Sequence, residues 1–288
     1  MYAVLGPTAS GKTAVAENLA RRLGTEVVSA DALQVYRGLA LLTNQPSVPT
    51  RLVAIRSLAE TMSVGEYAAL AHAAIDELVA ATGTAVVAGG TGLYLRAALI
   101  DLAIPPAPAA GARERWEHVY DADPDSAYRR LAEIDPRAAA VVHPNDRRRV
   151  VRGLELAEAG ASLRPASDRL WSDELRRPTL IAGLDLPAHV LAERIRRRTE
   201  AMFEAGVVEE ARAAVAEPIS RTATKALGLA ALTTLSPDDA REEIVARTRR
   251  YAAYQRKWMR RVPGVVMIDA DRPPEQVADA ILDVVRGR

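Results

Sequence analysis

The chain of 288 residues contains no cysteine. That excludes disulfides, a thiol nucleophile and cysteine-ligated metal. Aromatics are few, at one Phe, three Trp and eight Tyr. A binding mode built on stacked aromatic platforms is therefore not expected. Charge of one sign is missing too, because 38 Lys+Arg against 37 Asp+Glu leave a net charge of +1. No uniformly basic coat can follow from that balance. No run of about 18 apolar residues occurs, so no membrane span is expected. Met1–Leu5 is too short for the hydrophobic part of a signal peptide, and a cytoplasmic protein is expected. Lysine is scarce, limited to Lys12, Lys225 and Lys257, whereas alanine occurs 56 times. The Ala/Arg bias reflects genome composition, which makes each lysine noteworthy. The four histidines, His72, His118, His143 and His189, have no ligand spacing, so no zinc site is expected.

What remains is ordinary globular composition, 49% hydrophobic and 26% charged. The N-terminal third alternates short apolar runs with amphipathic stretches. Tyr2–Leu5, Glu26–Ser29 and Thr84–Ala88 read as strands, with Thr179–Gly183 and Val265–Ile268 as further members of the same sheet. Helices are expected over Thr13–Leu23, from a capping box at Ser63/Glu66 to about Ala81, over Pro187–Ala205, and from Ser236-Pro237 to about Arg261. Strands joined by helices imply a parallel sheet covered on both faces. Pro105-Pro106-Ala107-Pro108 breaks this rhythm, and about Ala112–Leu163 is helical and Arg-rich. The expected plan is an α/β core from residues 1–110 and 164–288, with a helical insertion at 111–163.

Gly6-Pro7-Thr8-Ala9-Ser10-Gly11-Lys12-Thr13 matches G-x-x-x-x-G-K-[ST] between a strand and a helix. Backbone N–H groups of such a loop converge on phosphate, Lys12 adds a point charge, and Thr13 offers a hydroxyl to Mg²⁺. The ligand is an oligophosphate; the loop does not say whether it carries a nucleoside. No acid ends the strand before Gly89-Gly90-Thr91-Gly92, which argues against a motor or switch NTPase. Asp31 follows the second strand, where open α/β sheets place their chemistry. It can bind metal or act as a general base. Trp116, Trp171 and Trp258 read as packing residues, with Trp258 the one that a base could stack on.

GPTASGKT, DALQVYRG, GGTGLYLRA, HPNDRRRVVRGLE and TRRYAAYQRKWMRR occur in this order along nearly the whole chain. Together they resemble the tRNA dimethylallyltransferases, and the Phe203–Glu210 and Ala226–Gly228 segments also fit. The resemblance implies a P-loop NTPase-like sheet with a helical insertion. It implies transfer of a dimethylallyl group from dimethylallyl diphosphate to N6 of the adenosine 3′ to a tRNA anticodon. Gly6 to Thr13 and Lys225 would hold the diphosphate, with Mg²⁺ on Thr13. Asp31 would accept the amino proton, and Gln34 would meet the base edge. Asp31, Ala32, Leu33, Gln34, Thr91, Arg113, Arg148, Arg149, Val150, Val151 and Arg152 match tRNA-contacting positions. A monomer is expected.

Charge supports a nucleic-acid partner once it is read locally. Arg147-Arg148-Arg149 and Arg152 crowd two helical turns, and Arg247–Arg261 holds seven basic residues and no acid. The chain departs from the family at Ala32 (usually Ser), Thr43-Asn44-Gln45-Pro46 (usually T-A-K-P), a shortened Val48–Leu52, Ala253-Tyr254-Gln255 (usually basic-Arg-Gln) and Gly228-Leu229 (usually G-Y). These changes gather around substrate entry. Three alternatives therefore stand beside the leading reading: a prenyltransferase acting on free adenine nucleotide, an ATP-dependent P-loop kinase, and a non-catalytic tRNA-binding relative.

Overall fold

A computed structural model describes residues 1–102, 109–164 and 169–287. The proline break at 105–108 lies outside them. The chain divides into two compact units, Met1–Asp101 with Trp171–Arg288, and Leu102–Leu170.

The first unit is built on six strands: β1 (Tyr2–Leu5), β2 (Val27–Ser29), β3 (Thr50–Arg51), β4 (Val86–Gly89), β5 (Leu180–Asp185) and β6 (Val265–Asp269). Every pairing is parallel, in the order β3-β2-β4-β1-β5-β6. The five strands expected from sequence are present. The sixth, β3, has two residues, too few to show any periodicity.

Helix α1 (Lys12–Leu23) follows β1, and α2 (Ala40–Thr43) is a single turn. Then come α3 (Val64–Thr82) and α4 (Gly92–Leu99). The chain steps from β1 outward to β2, then back to β4 between them. Right-handed crossovers therefore put α1 and α3 on opposite faces. On the α1 face, Val15, Ala16 and Leu19 pack with Val4, Val86, Ala182 and Leu184 of the sheet. The capping box of α3 forms as expected: Glu66 N–H donates to Ser63 Oγ, and Ser63 N–H donates to Glu66 Oε2.

The second unit holds α5 (Ala112–Ala122), α6 (Pro124–Ile134), α7 (Pro136–Ala139) and α8 (Arg147–Glu158). Asp123, Asp135 and Asp146 cap α6, α7 and α8, each accepting a backbone N–H three residues on. Tyr120, Leu131, Val142, Val150, Val151 and Leu154 form its own core. No strand occurs among its described residues.

The first unit resumes at Trp171 and carries α9 (Ala188–Glu204), α10 (Val207–Ala216), α11 (Leu229–Thr234), α12 (Pro237–Met259) and α13 (Pro274–Arg286). Gly206, at φ 91°, ends α9 by opening α10 directly. Ser236 and Pro237 start α12 as expected, with Ser236 Oγ accepting from Asp239 N–H. Helix α13, for which sequence analysis assigned nothing, buries Val277, Ala278 and Ile281 in the α1 layer.

Candidate active site

The register pairs Leu5 with Gly89 and Ser29 with Ala88, so β1, β4 and β2 end side by side. The loops that follow these strands start at Gly6, Gly90 and Ala30. They are drawn to one edge, the carboxyl end of a parallel sheet, where such folds bind ligands.

The loop after β1 has the shape its sequence requires. Ala9 and Gly11 have positive φ, at 64° and 87°, and Ser10 N–H closes a turn on Pro7 C=O at 3.2 Å. A Cβ on Gly6 would press on Ser10 Oγ. Gly11 opens α1 with no side-chain cap, leaving the first N–H groups directed at an incoming anion. Ser10 Oγ is buried without a partner. Such a group favours a ligand that satisfies it.

Two later helices hold this loop. Arg198, on α9, donates from Nη1 to Thr8 Oγ1 at 2.7 Å, and its Nε is buried without a partner. Gln255, on α12 and 5% exposed, accepts Thr8 N–H on Oε1 at 2.8 Å and donates from Nε2 to Gly90 C=O at 2.9 Å. One amide thus fastens the β1 loop to the β4 loop. The close approaches need glycine: a Cβ would overlap Gln255 at Gly90 and the Trp258 ring at Gly92. Sequence analysis singled out neither Arg198 nor this role of Gln255. Trp258 is half-buried against Gly92 and lies tilted at 44° against Trp171, with ring centroids 4.9 Å apart, in a packing role.

Lys12, Thr13, Glu17, Ser29, Asp31, Gln34, Ala88 and Gly89 line one narrow cleft. Four sequence-predicted residues, Lys12, Thr13, Asp31 and Gln34, are thereby brought together. Asp31 Oδ1 accepts the Leu33 N–H at 2.9 Å, which orients the carboxylate. Burial pulls the Lys12 ammonium down to about 8; Asp31 opposes that shift and Arg198 adds to it. Burial likewise lowers Arg198, again opposed by Asp31. Burial raises the Tyr94 phenol to about 12. Lys12 thus faces Asp31 across the cleft, Arg198 lies within reach of both, and Glu17 adds a second carboxylate to the lining.

Gln34 is engaged inside the protein. Its Oε1 accepts from Ser29 Oγ at 2.8 Å, and its Nε2 donates to Asn44 C=O at 2.8 Å. Gln45 donates to the carbonyls of Gln34 and Tyr36, at 3.1 and 2.7 Å. The residues at 44–45, which depart from the family, thus brace the Asp31 loop. Leu52, at the end of the shortened segment, has φ 65°. Ala32 is half-buried, and Leu33 packs against a cluster that includes Leu39 and Leu42. Lys225, itself exposed, ends a 3₁₀ turn, Ala223–Lys225, whose neighbour Thr222 bonds Tyr36 OH at 2.5 Å. Thr91 precedes α4, with its side chain beside that of Tyr251.

The remaining sequence-predicted residues lie in the helical unit, and the structure separates them. Val150 and Val151 turn their side chains into its core, at 0% and 3% exposure. Arg113 and Arg152 both bind the Glu155 carboxylate, whose side chain is fully buried. Arg147 forks onto Asp121. Arg148 and Arg149 project into solvent, with Arg149 3.5 Å from Asp146.

A phosphate loop, a carboxylate facing it and a fastened second glycine loop define a P-loop group-transfer fold. The family model for IPP transferase matches residues 34–262, and the chain belongs to that family. A tRNA dimethylallyltransferase of Corynebacterium jeikeium is 35% identical, with 98% of this chain and 96% of the relative covered. One of Anaeromyxobacter dehalogenans is 40% identical over 96% of each. The solved tRNA isopentenylpyrophosphate transferase of Bacillus halodurans superposes with a TM-score of 0.70 at 30% identity, covering 99% of this chain and 95% of that one. Among the described residues no helix is long and apolar enough to cross a membrane.

Proposed function

We propose that the chain transfers a dimethylallyl group from dimethylallyl diphosphate to N6 of the adenosine 3′-adjacent to a tRNA anticodon, releasing diphosphate. Family membership supplies the reaction class. The observation that carries the mechanism is the cleft in which Asp31 faces Lys12 and Thr13.

The leaving diphosphate lies on the N–H groups at the start of α1, with Lys12 and Arg198 neutralising its charge. Asp31 receives the adenine amino proton as the N6–C1 bond forms. The C1–O bond breaks in the same step, and its electron pair leaves with the diphosphate. The donor set suits Mg²⁺: the Thr13 hydroxyl on the cleft wall would hold it as a hard oxygen ligand. When bound, the ion supplies charge neutralisation of the leaving group. Arg148 and Arg149, exposed on α8, suit the tRNA backbone. Lys225 stands near the Asp31 loop, through Thr222 and Tyr36. The protein acts as a cytoplasmic monomer.

The test offers labelled dimethylallyl diphosphate and Mg²⁺ with either unmodified tRNA or AMP, and follows ATP turnover in parallel. Label on tRNA is expected, and Asp31→Asn abolishes it while tRNA binding persists. Label on AMP alone, or ATP consumption without prenylated tRNA, sinks the proposal.

A further inference from the structure

Of the one Phe, three Trp and eight Tyr, only Tyr251 and Tyr254 are exposed, at 37% and 59%. The others are buried or half-buried. An exposed aromatic in a chain this poor in them demands an explanation. The two tyrosines stand three residues apart on α12, within the stretch Arg247–Arg261 that has seven basic residues and no acid. Residues three and four apart share a helix face. Tyr254 is therefore flanked by Arg250 and Tyr251 on one side and by Lys257 on the other. Arg250 and Lys257 are both exposed.

This face reaches the reaction cleft. Tyr251 lies one helical turn before Gln255, which holds the β1 and β4 loops. It lies beside the side chains of Thr91 and Gln255 and within the field of Asp31. Tyr254 is close enough to Tyr251 to act on it in turn. The row from the cleft outward is thus Asp31, Tyr251, Tyr254, with guanidinium and ammonium groups alongside. An aromatic ring beside cations is the chemistry that receives an unpaired base and its phosphates.

We infer that Tyr254, on the basic face of α12, is a stacking platform for an unpaired base of the anticodon loop next to the acceptor adenosine, with Arg250 and Lys257 on the adjoining phosphates. The inference rests on the proposed tRNA reaction. Entry of the acceptor base into the cleft takes it out of the loop stack. Its neighbour then loses a stacking partner, and Tyr254 replaces it.

The test uses the full chain and an unmodified anticodon stem-loop carrying 2-aminopurine on one or the other side of the acceptor adenosine. Wild-type protein should quench the probe at one of the two positions. Tyr254→Phe should keep the quench and bind within about twofold. Tyr254→Ala should lose the quench and bind roughly tenfold more weakly. Its slope of log Kd against log salt should stay unchanged, because no phosphate contact is removed. Arg250→Ala should keep the quench and lower that slope. Equal weakening by Phe and Ala marks a hydroxyl contact and overturns stacking. Ala binding like wild type with the quench intact overturns the platform while leaving the tRNA reaction standing. Wild type that prenylates no tRNA in the parallel assay overturns the proposed reaction and this inference with it.

Discussion

Gln255 Oε1 accepts the Thr8 N–H at 2.8 Å across 247 positions of sequence. The same amide donates to Gly90 C=O, so a residue of α12 sets the distance between two glycine loops. Gln255→Leu keeps the volume but orphans one buried donor and one buried acceptor. Each costs about 1–3 kcal/mol. The variant should melt lower and bind inorganic pyrophosphate more weakly, because the phosphate loop has lost its brace. Gln255→Glu keeps the acceptor for Thr8 and should retain more pyrophosphate binding than Gln255→Leu. Calorimetric titration of both variants checks the order; equal affinities would remove the brace from the account.

The glycines opposite these contacts differ in what they would meet. A Cβ at Gly89 overlaps the Ala30 carbonyl, which is backbone, whereas one at Gly92 overlaps the Trp258 ring. Backbone yields less than a side chain. Gly89→Ala should therefore cost more stability than Gly92→Ala, within the ~1–3 kcal/mol usual for overpacking. Gly92→Ala should in turn displace Trp258 and shift its fluorescence, which Gly89→Ala should leave nearer to wild type. Thermal melts and emission spectra of the two variants give the ranking.

The contrast between these residues explains how far the sequence could be read. The β1 loop, the capping box at Ser63/Glu66 and the cap at Ser236 are local, and each was legible from a few adjacent residues. Strand β3 was not, because two residues show no alternation. Helix α13 was overlooked although Pro274 at its start and Val277, Ala278 and Ile281 at helical spacing announce it. Arg198 sits among Arg194, Arg196 and Arg197, and a run of arginines does not reveal which one turns inward. Only tertiary structure shows that Arg198 reaches Thr8 while Arg196 pairs with Glu193 at the surface. The same limit applies to the Arg-rich insertion. The family resemblance assigned Arg113, Arg148, Arg149 and Arg152 alike to tRNA, whereas the ion pairs divide them.

That division predicts different phenotypes within one cluster. Arg148 and Arg149 are exposed on α8, so their joint replacement by Ala should lower the salt slope of tRNA binding by about 2. The melt of the protein should stay near that of wild type. Arg113 instead holds the buried Glu155, and Arg113→Ala should loosen the helical unit. Filter binding across salt, with a thermal melt for each variant, separates the two effects.

Glu155 itself ties α8 to α5 through Arg113. Burial raises its carboxyl, but the hydrogen bonds and charges of Arg113 and Arg152 outweigh that and hold it below the ordinary value of 4.5. A depressed carboxylate contributes stability that is present above the unfolded value and lost as pH falls through the folded one. The helical unit should therefore loosen as pH drops below about 4.5. Glu155→Gln should blunt that dependence, at a cost of about 1.5–3 kcal/mol near neutrality. Near-UV circular dichroism from Trp116, which bonds Glu158 on α8, reports on this unit. Identical acid transitions in the variant and wild type would count against Glu155 as the linked group.

Lys12 links the cleft to pH from the opposite direction. Its ammonium, lowered to about 8, is charged near neutrality and loses its proton as pH rises through that value. A bound diphosphate adds negative charge and raises the group again, so binding above pH 8 takes up a proton. Affinity should then be level below about pH 7 and weaken above pH 8, approaching tenfold per unit until the bound-state value is reached. Lys12→Arg keeps its charge throughout and should flatten the profile, at lower overall affinity because the guanidinium is larger. Titration with inorganic pyrophosphate from about pH 6.5 to 9.5 resolves the two curves. A wild-type affinity that stays level through pH 9 would show that Lys12 remains protonated across the range and that burial does not control its charge.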